Sequence, residues 1–221
     1  MSSAPTKFAA LVAIGLLAAS AIPSQAESPA AAPASFTVIS PVFGQLVRFS
    51  MPTKFIAVAE DTKDEFFYIR EAVLKGETVN QWSQMITITG AKGLASAPNF
   101  SPQGLAGSIA GGFKKFCPEN FAAKSFGETK FGDRDAFVAV AACGKIGAGA
   151  DQHSETAMII AVKGSSAAYT IQWAERATST PSGADIDEAK WQGRLRELMP
   201  IRLCAIVSGE AAPYPSCLQQ K

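Results

Sequence analysis

His153 is the single histidine of the chain, and it stands in Gly147-Ala148-Gly149-Ala150-Asp151-Gln152-His153-Ser154-Glu155. A base, a hydroxyl and two carboxylates follow one another there. Imidazole suits general-base work near neutral pH, and a nearby serine or carboxylate would complete a hydrolase centre. Triad groups, however, are gathered by folding around a rigid oxyanion site. Neighbours in a glycine-rich loop therefore read first as a solvated histidine in a long hairpin connection. No G-x-S-x-G elbow, H-E-x-x-H pair, Walker loop or dinucleotide fingerprint occurs. The sequence thus offers no catalytic residue, and a hydrolase using carboxylates or His153 stands only as the alternative.

The other reactive side chains are Cys117, Cys143, Cys204 and Cys217. No Cys-x-x-Cys redox motif and no close His/Cys spacing for zinc is present, so neither a metal nor another cofactor is expected. An even count fits two structural disulfides in an oxidising compartment. Cys204 and Cys217 flank Gly209 and Pro213-Tyr214-Pro215, which can turn the chain back. Cys117 and Cys143 end a predicted helix and a predicted strand. The favoured pairing is Cys117 with Cys143 and Cys204 with Cys217. Each closed loop removes about 3 kcal/mol of unfolded-state entropy in the loop-closure picture.

That compartment is also written into residues 1–26. Lys7 gives a positive start, Phe8 to Ile22 an apolar run, and Pro23-Ser24-Gln25-Ala26 a cleavage site with small residues at its key positions. The apolar run is roughly 15 residues, short of the roughly 20 that span a bilayer. No cysteine follows it to carry a lipid, and no twin-arginine pair precedes it. Residues 1–26 read as a signal peptide, residues 27–35 as a disordered Ala/Pro/Ser tether, and residues 36–221 as a single domain in the periplasm or outside the cell. Removing Lys7 brings the basic residues level with the 19 acidic ones, so no general attraction to nucleic acid or anionic lipid remains.

Trp82 is the aromatic residue with the most specific setting. In Gly76-Glu77-Thr78-Val79-Asn80-Gln81-Trp82, Thr78 and Gln81 have capping-box spacing, which predicts a short helical turn setting the indole against the sheet end. A core anchor is the first reading of Trp82 and a ligand-facing ring the second. The segment GETVNQWSQMITI resembles one found in an uncharacterised group of small exported proteobacterial proteins; the resemblance implies no activity. Between Phe113 and Phe137 six phenylalanines interleave with Lys114, Lys115, Lys124 and Lys130, as in surfaces that stack bases and hold phosphates. Interspersed Glu119, Glu128, Asp133 and Asp135 favour core phenylalanines with solvated lysines instead.

These residues need elements to position them. Strands are predicted at 45–49, 54–59, 65–74, 84–89, 136–142, 156–163 and 168–176, the last three as the sheet centre, with a further edge strand at 204–207. Gly164-Ser165-Ser166 joins two of them as a hairpin. Ser101-Pro102 starts a helix at 102–116 with Leu105, Ile109, Phe113 and Phe116 on one face. Its four glycines are expected to let it approach the strands closely. Asp185 and Glu188 open a second helix near 185–199, with Arg194 among its solvent-facing residues. The sum is an α+β domain: a mainly antiparallel sheet of about six or seven strands with two packed helices. The order of elements resembles α/β/α sandwiches of the PsbP type, which implies a layering and no activity.

Many aromatic residues without a reactive constellation point to a non-catalytic periplasmic protein that binds a partner protein or a small, partly apolar ligand. Trp82 is its candidate ligand-binding residue. The intact mass of the exported protein should match a chain starting at Glu27 and be four hydrogens below the fully reduced form. A retained N-terminus, or thiols that alkylate in the native protein, would contradict this reading.

Overall fold

Strand alternation decides the architecture. In the computed structural model, which describes Met1, residues 34–181 and residues 185–219, the strands and helices follow in this order: β1 (Ser35–Val42), β2 (Gln45–Pro52), β3 (Phe55–Lys63), β4 (Phe67–Leu74), β5 (Gln84–Ala91), α1 (Pro102–Phe116), β6 (Phe121–Phe131), β7 (Arg134–Ile146), β8 (His153–Lys163), β9 (Ala168–Thr178), α2 (Glu188–Leu198), β10 (Arg202–Ala205) and α3 (Pro215–Leu218). The expected signal peptide, Met1 aside, and most of the expected tether fall outside the described residues.

Seven strands form one antiparallel sheet in the order β3-β4-β5-β9-β8-β7-β6. The centre is β9 with β8 beside it, as expected, while β7 lies next to the edge. A second antiparallel sheet, β1-β2-β10, has β10 on its edge. The sequence predicts one sheet and no strand for β1 or β6, whereas the predicted strand at 45–49 pairs in the second sheet and the edge strand predicted at 204–207 forms there two residues earlier, at Arg202–Ala205.

The two faces of the large sheet are covered differently. Ile86, Ile88, Met158, Ile160, Ile171 and Trp173 point to one side, where Phe49, Phe55, Trp191 and Leu198 of the small sheet, β3 and α2 close the main core. Trp173 is 0% exposed. Phe55 meets its ring edge-on at 5.2 Å, and the Arg194 guanidinium lies 4.6 Å above it. Arg194 is therefore not a solvent-facing residue: with Lys190 it holds the half-buried Glu175 carboxylate, and its aliphatic stem covers the indole. The cap of α2 is Asp187, whose carboxylate accepts the Lys190 N–H at 3.0 Å, two residues later than expected.

On the opposite face α1 packs on β6, β7 and β8, burying Ala106 against Phe137, Ala139, Ala141, Ile159 and Ala161. Ser101 caps the helix by accepting the Gly104 N–H at 3.0 Å, and Pro102 begins it. Close approach comes from Ala106 and the strand alanines. A Cβ added at Gly107, Gly111 or Gly112 would meet nothing within 4 Å, so those glycines are not needed for the fit. Over β9, β5 and β4 the same face has no helix, and polar side chains finish it: the Thr89 and Thr170 hydroxyls lie 2.7 Å apart and the Gln172 amide donates to Thr170.

The β8–β9 hairpin grips the small sheet. Gln45 of β2 accepts the Ser165 N–H at 2.7 Å through its side-chain oxygen. A Cβ at Gly164 would stand 2.4 Å from that oxygen and 2.5 Å from the Ala167 carbonyl. Gly164→Ala should therefore destabilise the protein by about 1–3 kcal/mol, whereas Gly107→Ala, on exposed helix, should stabilise it by about 0.5–1 kcal/mol. Urea unfolding of both variants checks the pair; equal midpoints would contradict the packing described.

Candidate functional site

Both disulfides pair as the spacing suggested. Cys117 is bonded to Cys143 and Cys204 to Cys217, and none of the four is free. The first ties the end of α1 to β7, and this anchors the region where the chemistry-bearing residues meet.

His153 is not in a loop. Gly147, with φ +76°, and a 3-10 turn at Gly149–Asp151 reverse the chain tightly, so that His153 is already the first residue of β8, opposite Ile146 and Thr178. A Cβ on Gly147 would stand 2.7 Å from the Asp151 carbonyl. Strand alternation then separates the apparent constellation. His153 and Glu155 share the α1 face, while Ser154, 7% exposed, points to the other side and donates its hydroxyl to the Thr178 carbonyl at 3.1 Å. His153 Nδ1 lies 2.7 Å from the Asp151 carbonyl oxygen, and its Nε2 faces the Glu155 carboxylate at 3.7 Å, beyond hydrogen-bond length. Glu155 accepts from Arg176 Nε at 3.0 Å.

Trp82 lies on the same side. It is half-buried and sits outside the core, and the helical turn expected before it does not form. Thr78 and Gln81 instead exchange both backbone hydrogen bonds, reversing the chain over Val79-Asn80. The Thr78 hydroxyl does accept the Gln81 N–H at 3.2 Å, as capping-box spacing requires. Capping-box spacing is thus equally served by a two-residue reversal. Glu77 decides between them by accepting from both the backbone and the hydroxyl of Ser83. Partial burial alone would raise the Glu77 carboxyl, but the bonds from Ser83 outweigh it and hold its pKa below the ordinary value. The indole is thereby laid over Arg176, whose guanidinium carbon is 3.7 Å from the ring centroid.

Two depressions adjoin at this end of the sheet. One, about 390 Å³, is lined by Asn80, Gln81, Trp82, Asp151, Gln152, His153 and Arg176. The other, about 340 Å³, is apolar: Ile109, Gly112, Phe113 and Phe116 of α1 face Cys143, Ile146 and Glu155 of the sheet. Glu155 lines the second and its carboxylate binds Arg176 of the first, so the pair links the two linings. Phe116 is 82% exposed at the groove's rim; of the phenylalanines expected in the core, Phe131 and Phe137 are buried and this one is not. A larger depression of about 520 Å³ at the start of α1 includes Glu128, Lys130, Asp135 and Lys163, of which Lys130 and Asp135 pair with each other at 2.7 Å.

The site draws Trp82 and His153 together, which sequence distance hides. It also uses Arg176 and Ile146, which no sequence signal marks, and Phe116, which the sequence marks only as part of the apolar face of α1. Among the described residues no group of His, Cys, Asp and Glu side chains is placed to hold a metal ion, and no helix is long and apolar enough to cross a membrane.

No family model and no curated protein matches the chain. Among solved structures it is similar to the solution structure of cyanobacterial PsbP (CyanoP) from Synechocystis sp. PCC 6803, with a TM-score of 0.40, 9% identity, and coverage of 78% of this chain and 92% of that one. It is similar also to the crystal structure of LpqN, involved in cell envelope biogenesis of Mycobacterium tuberculosis, with a TM-score of 0.37, 8% identity, and coverage of 77% and 91%. At these values neither likeness bears on what the site does.

Placement outside the core changes what truncating each indole should cost. Trp82→Ala forfeits a half-exposed stack on Arg176, about 1–2 kcal/mol, whereas Trp173→Ala opens the main core for about 3–5 kcal/mol. Urea unfolding ranks the two; a Trp82→Ala cost equal to that of Trp173→Ala would contradict the placement.

Proposed function

We propose that this is an exported, non-catalytic binding protein, and that a small, partly apolar ligand occupies the trough between α1 and the Trp82 loop. The observation carrying this reading is the hydrogen bond from Arg176, which lines the polar depression, to Glu155, which lines the apolar one, so that an apolar wall and a polar end lie side by side. Sites of this size and mixed lining are the usual form for small ligands. Two disulfides, a stabilising device of oxidising compartments, support location in the periplasm or outside the cell.

The absence of a reaction is supported by how the reactive side chains are engaged. Ser154 is turned away from His153 and bonded to a main-chain carbonyl, and the Glu155 carboxylate is committed to Arg176. The hydroxyl next to His153 in sequence is thereby not presented to the imidazole. Phe116, by contrast, leaves a large apolar side chain in water at the rim of a groove, a placement that favours occupation by an apolar group.

Fluorescence titration with the neutral apolar probe N-phenylnaphthylamine tests the reading. The probe should bind, and Phe116→Ser should weaken it about tenfold. A His153→Ala protein that keeps its stability and its probe affinity but fails to complement a strain lacking the gene would refute the non-catalytic reading, and a probe indifferent to Phe116→Ser would refute the groove.

A further inference from the structure

We infer that this protein associates head to tail with itself: the tip of the β3–β4 hairpin of one copy, carrying Phe66 and Phe67, seats in the apolar groove beside Phe116 of a second copy. This rests on the groove of the reading above and gives it a second occupant, which a small apolar ligand displaces. Phe66 is 63% and Phe67 39% exposed, so two adjacent aromatic side chains stand in water. The turn that presents them is strained. Phe66 donates its N–H to the Lys63 carbonyl across Asp64 and Glu65, whose φ angles are +49° and +58°. A reversal of that shape favours Asn-Gly, and a glutamate with left-handed backbone is disfavoured there. The sheet holds the tip in place, since the Phe66 carbonyl accepts the Lys92 N–H at 2.8 Å. The Lys92 ammonium rests 5.6 Å from the centre of the Phe66 ring and still leaves most of that side chain uncovered.

Size and charge both fit a second copy. A cavity of about 150 Å³ accepts a benzene ring, so a groove of about 340 Å³ has room for both phenyl groups. It is extended by a depression lined by Glu119 and Lys145, with which it shares Phe116 and Ile146. Around the groove Lys145, with Lys114 and Lys115 of the last turn of α1, outnumbers Glu119 and Asp151, and Glu155 is bonded to Arg176. On the hairpin Asp61, Asp64 and Glu65 outnumber Lys63 and Lys92, and Glu60 is engaged by Tyr68 and Arg70. An acidic knob thus matches a basic rim. Within one copy the two cannot meet. Lys163, Ala168, Ala91 and Phe67 lie in one row across the sheet, whereas Glu155 marks the groove at the other end of β8, roughly 25 Å away along the strands. The contact is therefore heterologous, each copy keeps one knob or one groove free, and the chain of copies can grow. So small a contact makes the association weak.

Sedimentation velocity of the full mature protein in low salt, up to about 1 mM, tests the contact. Assemblies should grow with concentration and dissociate when N-phenylnaphthylamine fills the groove, and Phe66→Ser/Phe67→Ser should weaken them about tenfold. Charge reversal makes the test specific. Asp61→Lys/Glu65→Lys and Lys114→Glu/Lys115→Glu should each abolish self-association, and an equimolar mixture of the two variants should restore it, because every knob then meets a rim of opposite charge. Mixing cannot repair a damaged fold, so restoration reports the interface itself. A protein that stays monomeric, an assembly indifferent to Phe66→Ser/Phe67→Ser or persisting with the probe bound, or a mixture that stays apart would each overturn the head-to-tail contact. Probe binding without assembly would overturn this inference and leave the small-ligand reading standing, whereas a mixture that assembles in a protein that does not bind the probe would do the reverse.

Discussion

The structure depends on one constraint: strands β7 and β8 of the large sheet are apolar on both faces, and each face must be removed from water. A strand such as β8 alternates Met158, Ile160 and Val162 toward the main core with Ile159 and Ala161 toward α1, all of them buried. The first face has ample cover from a second sheet and α2. The second has a single helix of 15 residues. A helix about 10 Å wide covers two or three strands spaced about 4.8 Å apart, not seven. The chain resolves the shortfall by sequence, using Ile and Ala under the helix and Thr and Gln beyond it.

The trough follows from that partial cover. Because α1 ends at the sheet margin and is held there by the Cys117–Cys143 bond, its last apolar residues extend past their partners, and Phe116 is left over a groove. On the uncovered side the β4–β5 connection folds back to lay Trp82 on Arg176. Between helix and loop lies the partly buried Glu155–Arg176 pair. Its position is set by strand register, since these residues are direct cross-strand partners in β8 and β9. A one-residue slip would send both to the opposite face, so the same pairing that builds the core also places the polar groups of the site.

Much of the fold was legible in the sequence, where signals were local and unopposed. Ser101-Pro102 and the spacing of Leu105, Ile109 and Phe113 define α1 to the residue, and the Gly164 hairpin and both disulfides follow from turn chemistry and chain position. What escaped depended on partners distant in sequence. The edge strand β6 is broken by a register shift between Ser125 and Gly127, which spoils its alternation, and β1 carries Ser40 at an inward position between Val38 and Val42, followed by Pro41, which interrupts its apolar alternation. That β2 and β10 leave the main sheet is a matter of pairing, which periodicity does not encode. The site was less legible still. Trp82 and His153 were each visible, but their meeting on one face, through Arg176 and Glu155, is a product of register, and the solvent exposure of Phe116 is a product of where the sheet ends.

The central claim is that the end of the sheet between α1 and the Trp82 loop is the binding face. Mapping the amide NMR spectrum during titration with N-phenylnaphthylamine tests it most directly. Shifts should concentrate on Ile109, Phe113, Phe116, Ile146 and Glu155 and extend to Arg176 and Trp82. Shifts centred instead on the open Thr87, Thr89 and Gln172 face, or on the depression at the start of α1 by Phe100 and Lys163, would contradict it.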